Sequence, residues 1–308
     1  MTLPTVPFGS GDAPVGVIGQ GLMNMTMKSQ PLDDEVCFNA IKASLDFSGP
    51  VITESNSSSA GEFYGVISPM DGLHLLKRFL TNTPSMLIVR CSAARHSIYL
   101  CSWPTHETKR TLPRSVAHIQ KLIGSNKKLD HFECGRMDGE TSIETVAGAL
   151  KELVDERQIG LSEVNANTTR RAAKVAPIAS IETEVAPWAY ADDVEEVAAE
   201  VGVTVMAYSP LGRGFLTGAI SPETLAKDDR RRHFPRFGEE AMVQNQKIVD
   251  GITTLAKKKG MSNAQLCLAW VHSLGSYPSI RRSSLCCFRT IYSSHLTRPP
   301  DAILLSVW

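Results

Sequence analysis

The chain predicts a single (β/α)₈ barrel, and three observations carry that expectation. Short β-rich runs alternate with amphipathic helical runs seven times over short connections, the pattern of a parallel sheet whose crossovers are helices. Seven such units within 308 residues favour one closed barrel over an open doubly wound sheet. A doubly wound fold would also want Gly-x-Gly-x-x-Gly between its first strand and helix. Gly16, Gly19 and Gly21 have other spacing and lead into a polar stretch, which leaves close packing at a barrel mouth or phosphate binding as their roles.

The elements follow in order. Residues 15–23 read as a strand and 33–47 as a helix, with Val36, Ala40, Ile41 and Leu45 on one face. Asp33, Asp34 and Glu35 suit that helix's N-terminal dipole. Residues 50–53 form the next strand, 71–80 a helix, 86–91 a strand, 115–123 a helix and 129–134 a strand. Ser142 opens a strong helix reaching residue 156, with Val146, Leu150, Leu153 and Val154 at helical spacing. Strands at 159–164, 178–185 and 203–208 alternate with helices at 168–175 and 192–201, and a further helix spans 264–271.

Composition bounds the function. With 43% hydrophobic and 21% charged residues the chain is ordinary globular material. Its 32 basic and 32 acidic residues argue against a nucleic-acid partner, which usually leaves a basic footprint. No apolar run reaches the roughly 20 residues of a membrane span, and the first residues lack signal-peptide character, so the cytoplasm is expected. Cys37, Cys91, Cys101, Cys134, Cys267, Cys286 and Cys287 form no CxxC pair; buried, reduced thiols are expected and zinc is not. A lone His131 or His272 reads as a packed or surface residue rather than a ligand.

A barrel places its chemistry at the carboxyl ends of the strands. Tyr64 follows the second strand, Arg136 and Asp138 the fourth, Ser162 and Glu163 the fifth, Glu182 and Glu184 the sixth, and Ser209 to Arg213 the seventh. Any one alone reads as a solvated loop residue. Their joint placement on one rim points to a site.

Two motifs carry a family resemblance. Gly61-Glu62-Phe63-Tyr64-Gly65, together with the run from Tyr208 to Gly218, resembles the aldo-keto reductases, and more narrowly their fungal pyridoxal-reductase-like branch. The resemblance spans about residues 15–270 and implies an NADPH-dependent reductase acting on a small carbonyl substrate, an aldehyde or ketone. Tyr64 would then be the general acid. Ser162 and Glu163 match the fifth-strand motif that holds the nicotinamide carboxamide, and Glu182 lies in the sixth-strand motif. Val185 stands where many relatives place an aromatic ring. Ser209, Leu211 and Arg213 match the loop that embraces the pyrophosphate, where backbone amides and a guanidinium suit phosphate oxygens. The following basic run, Arg231 to Phe237, reads either as an exposed flap or as a further cofactor contact.

The same resemblance exposes departures. Its tetrad pairs the tyrosine with a lysine that lowers the tyrosine's pKa, an aspartate and a histidine. Here Ser59 stands at the aspartate position, Ala94 at the lysine position and Gly135 where a histidine often lies. Arg95, next to Ala94, is the candidate substitute charge, although its planar fork differs from an ammonium. The eighth strand and C-terminal elements are expected to be degraded, with 281–308 an atypical tail on the single domain 1–308. Arg281, Arg282, Ser283 and Ser284 either imitate a 2′-phosphate site or belong to a tail of altered reading frame. Three functions stay open: a carbonyl reductase, a catalytically impaired barrel that binds a nucleotide or a protein, and a defective product.

Overall fold

The computed structural model describes residues 5–8, 11–16, 18–21, 25, 32–48, 52–54, 72–82, 90–92, parts of 112–121, 131–134, 137, 141–153, 158–190, 192–227, 229–275 and 279–282. The strands are β1 (Thr5–Phe8), β2 (Gly11–Gly16), β3 (Ile18–Gly21), β4 (Ile52–Glu54), β5 (Arg90–Ser92), β6 (His131–Cys134), β7 (Gln158–Ser162), β8 (Ile178–Glu184), β9 (Thr204–Tyr208) and β10 (Ser279–Arg282). The helices are α1 (Asp34–Ser48), α2 (Gly72–Asn82), α3 (Ile143–Lys151), α4 (Ala166–Ala173), α5 (Asp192–Val201), α6 (Glu239–Lys258) and α7 (Asn263–Ser273). Contacts divide the chain into two compact units: Met1–Thr183, Asp192–Tyr208 and Tyr277–Leu285 in the first, and Glu184–Ala191, Ser209–Ser276 and Cys286–Trp308 in the second.

The first unit is built on eight strands in the order β5-β4-β3-β10-β9-β8-β7-β6, parallel in every pair whose register is resolved. The end strands β5 and β6 also lie against each other, which closes the ring. This is the (β/α)₈ barrel that the alternation predicts. Its eighth member is β10, whose four residues all pair with β3, while Ser279 and Ile280 also pair with β9. The strand expected over 15–23 is two elements, because β2 turns back on β1 as an antiparallel hairpin and only β3 joins the barrel.

Sheet parity makes the two faces of β6–β8 chemically different. Paired residues in a parallel ladder project to the same side, so His131, Glu133, Gly160, Ser162, Ser180 and Glu182 share one face. Phe132, Leu161 and Ile181 share the other, each no more than 1% exposed, as the helix-covered outer layer of a barrel requires. The polar row therefore faces the barrel interior. There His131 Nε2 lies 3.1 Å from Ser180 Oγ, and the Phe8 ring meets the imidazole edge-on at 5.1 Å. Burial holds that imidazole neutral, with its pKa pushed down to about 3. His131 is thus a packed residue, as expected.

Capping and ion pairs set the helices around this sheet. Ser142 caps α3 by accepting from Thr145 N at 3.2 Å, and Asn165 caps α4 by accepting from Thr168 N at 2.8 Å. The helix expected to reach residue 156 stops at Lys151, where the backbone N–H of Glu152 closes on Gly148 and Leu150 carbonyls. Arg78 pairs with Asp34 across α2 and α1, Arg171 with Glu144 across α4 and α3, and Arg170 with Glu200 across α4 and α5. On α1 the buried stripe is Cys37 and Ile41, while Val36 is 45% exposed. Ile41 of the expected face is buried, but Val36 is not: one residue turns a helix by about 100°, and Cys37 takes its place in the stripe.

The second unit packs around aromatic residues. Trp188 stacks on Phe215 at 5.4 Å, and Phe237 meets both edge-on, at 6.1 and 6.0 Å. Leu216, Met242, Val249 and Cys267 complete that core. Helix α6 offers it a narrow stripe, since Met242, Val249 and Ala256 recur every seventh residue. A capping box between Ser262 and Gln265 starts α7. Cys37, Cys134 and Cys267, the cysteines whose side chains are described, are buried and form no disulfide.

Candidate functional site

In the barrel unit, the carboxyl ends of β7 and β8 bring Ser162, Glu163 and Glu182 together. Ser162 and Glu182 are register partners, each 1% exposed. Glu163 leaves the strand with φ of 56°, a left-handed conformation that costs a non-glycine residue about 1–2 kcal/mol. Its backbone N–H donates to the Glu182 carbonyl at 2.8 Å, which holds the turn. Two residues later Asn165 starts α4, so the strand end passes into a helix over a minimal loop.

In the second unit, Ser209 to Gly214 form a strained loop. Ser209 has φ of 51° and Arg213 of 55°, with Gly212 and Gly214 also left-handed. Strain of this kind gathers at binding sites, where surrounding contacts hold it. Leu211 does not reach outward; it packs against the aromatic core while its carbonyl accepts from Gly214 N and Leu216 N. Gly212 is required sterically as well, because a Cβ there would lie 2.6 Å from the Trp188 ring.

Arg213 is held on several sides. Its Nη1 donates to both Glu184 oxygens, at 3.1 and 3.3 Å. Its guanidinium carbon lies 4.7 Å from the Phe234 ring centroid, and its carbonyl accepts from Arg231 Nη1 at 3.0 Å. Glu184 also receives Arg236 Nη1 at 2.5 Å and Trp188 Nε1 at 3.3 Å. Two buried donors of this loop have no hydrogen-bond partner among the described residues: Arg213 Nε and Ser209 Oγ. A buried, unsatisfied donor costs about 1–3 kcal/mol, so a loop that keeps two of them is suited to an incoming acceptor.

Tyr64, Arg95, Ser59, Ala94, Gly135, Arg136 and Asp138 lie outside the described residues. Val185, which the resemblance alone sets at an aromatic position, is 3% exposed. Arg281 and Arg282 fall in β10, opposite Gln20 and Gly21 of β3. Sequence reasoning missed the cluster that joins Glu184, Trp188, Arg213 and Arg236. Its only trace in the sequence is parity: Glu184 follows Glu182 by two along a strand, and a basic run lies some fifty residues further on.

A model of the Aldo/keto reductase family matches residues 18–285, and the chain belongs to that family. It is similar to the probable pyridoxal reductase 2 of Schizosaccharomyces pombe, 28% identical over 274 residues that cover 85% of this chain and 80% of the relative. It is also similar to the aldo-keto reductase yakc of the same organism, whose name carries NADP(+), 39% identical over 173 residues, or 51% of each chain. Among solved structures, a glycerol dehydrogenase from Gluconobacter oxydans superposes with a TM-score of 0.72, covering 97% of this chain and 93% of its own at 19% identity. That likeness shows the fold alone. The chain is thus an oxidoreductase-family barrel of the pyridoxal-reductase-like kind.

Among the described residues no group of three or more His, Cys, Asp or Glu could hold a metal, and no helix is long and apolar enough to cross a membrane.

Proposed function

We propose that the protein is an NADPH-dependent carbonyl reductase of the cytoplasm, a single barrel domain over 1–308, reducing an aldehyde or ketone of the pyridoxal-like or fungal-pathway type to its alcohol. The observation that carries the reading is the loop from Ser209 to Arg213, strained into left-handed conformations and keeping two buried donors without partners. That donor set fits a pyrophosphate: a guanidinium edge and a hydroxyl are the groups that bind phosphate oxygens. In the barrel unit, Ser162, Glu163 and Glu182 are the residues that the family resemblance assigns to the nicotinamide. When bound, NADPH supplies the hydride that reaches the carbonyl carbon. Tyr64 donates the proton to the carbonyl oxygen and is left as a tyrosinate that regains its proton from water. Arg95 supplies the positive charge that favours that tyrosinate, in the absence of a lysine at Ala94.

The test is consumption of NADPH against a panel of small aldehydes, pyridoxal included. Tyr64→Phe should remove most of the turnover, since general acid help contributes about 10²–10⁴-fold, while leaving the folded state intact. Equal turnover by that variant would rule out Tyr64 as the acid. Ala94→Lys with Ser59→Asp should raise turnover by restoring the charge pair, and no gain at matched cofactor saturation would count against that assignment.

A second reading is favoured by one observation, the replacement of tetrad residues by Ser59, Ala94 and Gly135. In it the chain binds a nucleotide without reducing a carbonyl. Nucleotide binding with no turnover on any aldehyde, and none gained by the double replacement, would select it.

A further inference from the structure

We propose that Glu184 is a positioning residue for the dinucleotide pyrophosphate, fixing the Arg213 guanidinium so that its unused edge is offered to the phosphates; this rests on the nucleotide-binding reading above. Glu184 ends β8 with its side chain 10% exposed. Its carboxylate serves two guanidiniums, Arg213 at 3.1 Å and Arg236 at 2.5 Å. One negative charge against two positive ones leaves the cluster with an excess cation, which suits an anionic ligand.

The geometry separates the two arginines. Arg213 has a side chain 10% exposed and is locked: Phe234 lies on its face, Arg231 holds its carbonyl, and Asp229 holds Arg231 at 2.6 Å. Arg236 is 38% exposed, with its guanidinium 5.2 Å from the Trp188 ring centroid. A guanidinium presents its N–H groups in a fixed planar fork, so engaging one part orients the rest. Both contacts to Glu184 use Nη1 of Arg213, whereas Nε, on another edge of the same fork, is buried with no partner among the described residues. Glu184 thereby sets the direction in which Arg213 faces a phosphate.

Charge alone predicts the opposite of positioning, which makes the sign of the effect decisive. Removing a negative charge beside an anion site strengthens anion binding by Coulomb attraction. A positioning role requires that the same removal weaken it.

The experiment titrates the full-length protein with NADPH and with NADH, following nucleotide fluorescence, for wild type, Glu184→Gln and Glu184→Asp, with a thermal midpoint for each. Glu184→Gln should weaken both nucleotides equally, by about tenfold or more, because both carry the pyrophosphate and a charged hydrogen bond is being misaligned. Glu184→Asp keeps the charge and should bind more tightly than Glu184→Gln. Unchanged or tighter binding by Glu184→Gln overturns the inference, as does a lowered midpoint with no loss of affinity. Should Glu184→Gln fail to fold, Glu184→Asp decides alone: its carboxylate is one methylene shorter, so weaker binding than wild type supports positioning and equal binding overturns it. A wild type that binds neither nucleotide overturns the nucleotide-binding reading itself, and this inference with it. Binding by wild type with no change in the variants overturns only the role of Glu184.

Discussion

Lowering the pH from 7 to 5 should destabilise the protein through His131. The ring is 3% exposed, and burial pushes its pKa from 6.5 down to about 3. Between those values the unfolded chain takes up a proton that the folded chain refuses. Stability from this residue is therefore present above the unfolded pKa and lost as the pH falls toward the folded one. With an unfolded pKa of about 6.5, protonation favours the unfolded state by about 2 kcal/mol at pH 5 but only by a few tenths at pH 7. The folded ring has little chance of accommodating charge, since its surroundings include the Phe8 ring at 5.1 Å and a single hydroxyl, Ser180 Oγ, at 3.1 Å. Urea unfolding of wild type and His131→Gln at pH 7, 6 and 5 isolates the effect. Glutamine does not titrate yet keeps an amide for Ser180, and all other titrating groups are common to both proteins. Wild type should lose about 2 kcal/mol more than the variant between pH 7 and pH 5. Parallel losses in the two proteins would refute the buried, neutral imidazole.

The remaining predictions concern packing and thiol chemistry. Gly160→Ala places a Cβ 2.4 Å from Ser180 Oγ and 2.8 Å from His131 Nε2, and overpacking of that kind should cost about 1–3 kcal/mol in thermal unfolding; an unchanged midpoint would show that these neighbours yield freely. Phe237→Ala removes the ring wedged against Phe215 and Trp188 and should cost about 3–5 kcal/mol, so a variant as stable as wild type would contradict the core assigned to the second unit. Burial raises the Cys267 thiol to about 12, which keeps it from forming a thiolate; peptide mapping should find it unlabelled by a thiol reagent at about pH 8 until the protein unfolds, and rapid native labelling would contradict that.

The fold was legible because local signals agreed with the tertiary answer. Residues 192–201 coincide with α5, and Ser142 is the N-cap that its sequence context implies. Where signals failed, the cause is specific. Helix α6 buries only Met242, Val249 and Ala256 along twenty residues, too thin a stripe for apolar periodicity to stand out, and it exposes Val243 at 62%. Strand β10 reads Ser-Ile-Arg-Arg, with no run of β-branched residues; pairing with β3 and β9 makes it a strand. At the candidate site, Ser162 and Glu182 were placed by strand ends alone. The ion pairs of Glu184 were not, since Arg213 and Arg236 lie 29 and 52 residues downstream and nothing local links them.

The pairing of Ser279 with Ile18 has a consequence for biosynthesis. Until the segment carrying β10 has left the ribosome, β3 and β9 both present open edges, each a template for pairing with another chain. Ring closure then joins segments at nearly the largest sequence separation available, the class of contact that forms last and slowest. Through that interval the open edges of the nascent barrel are exposed to pairing with other chains, and their closure waits on a strand of four residues.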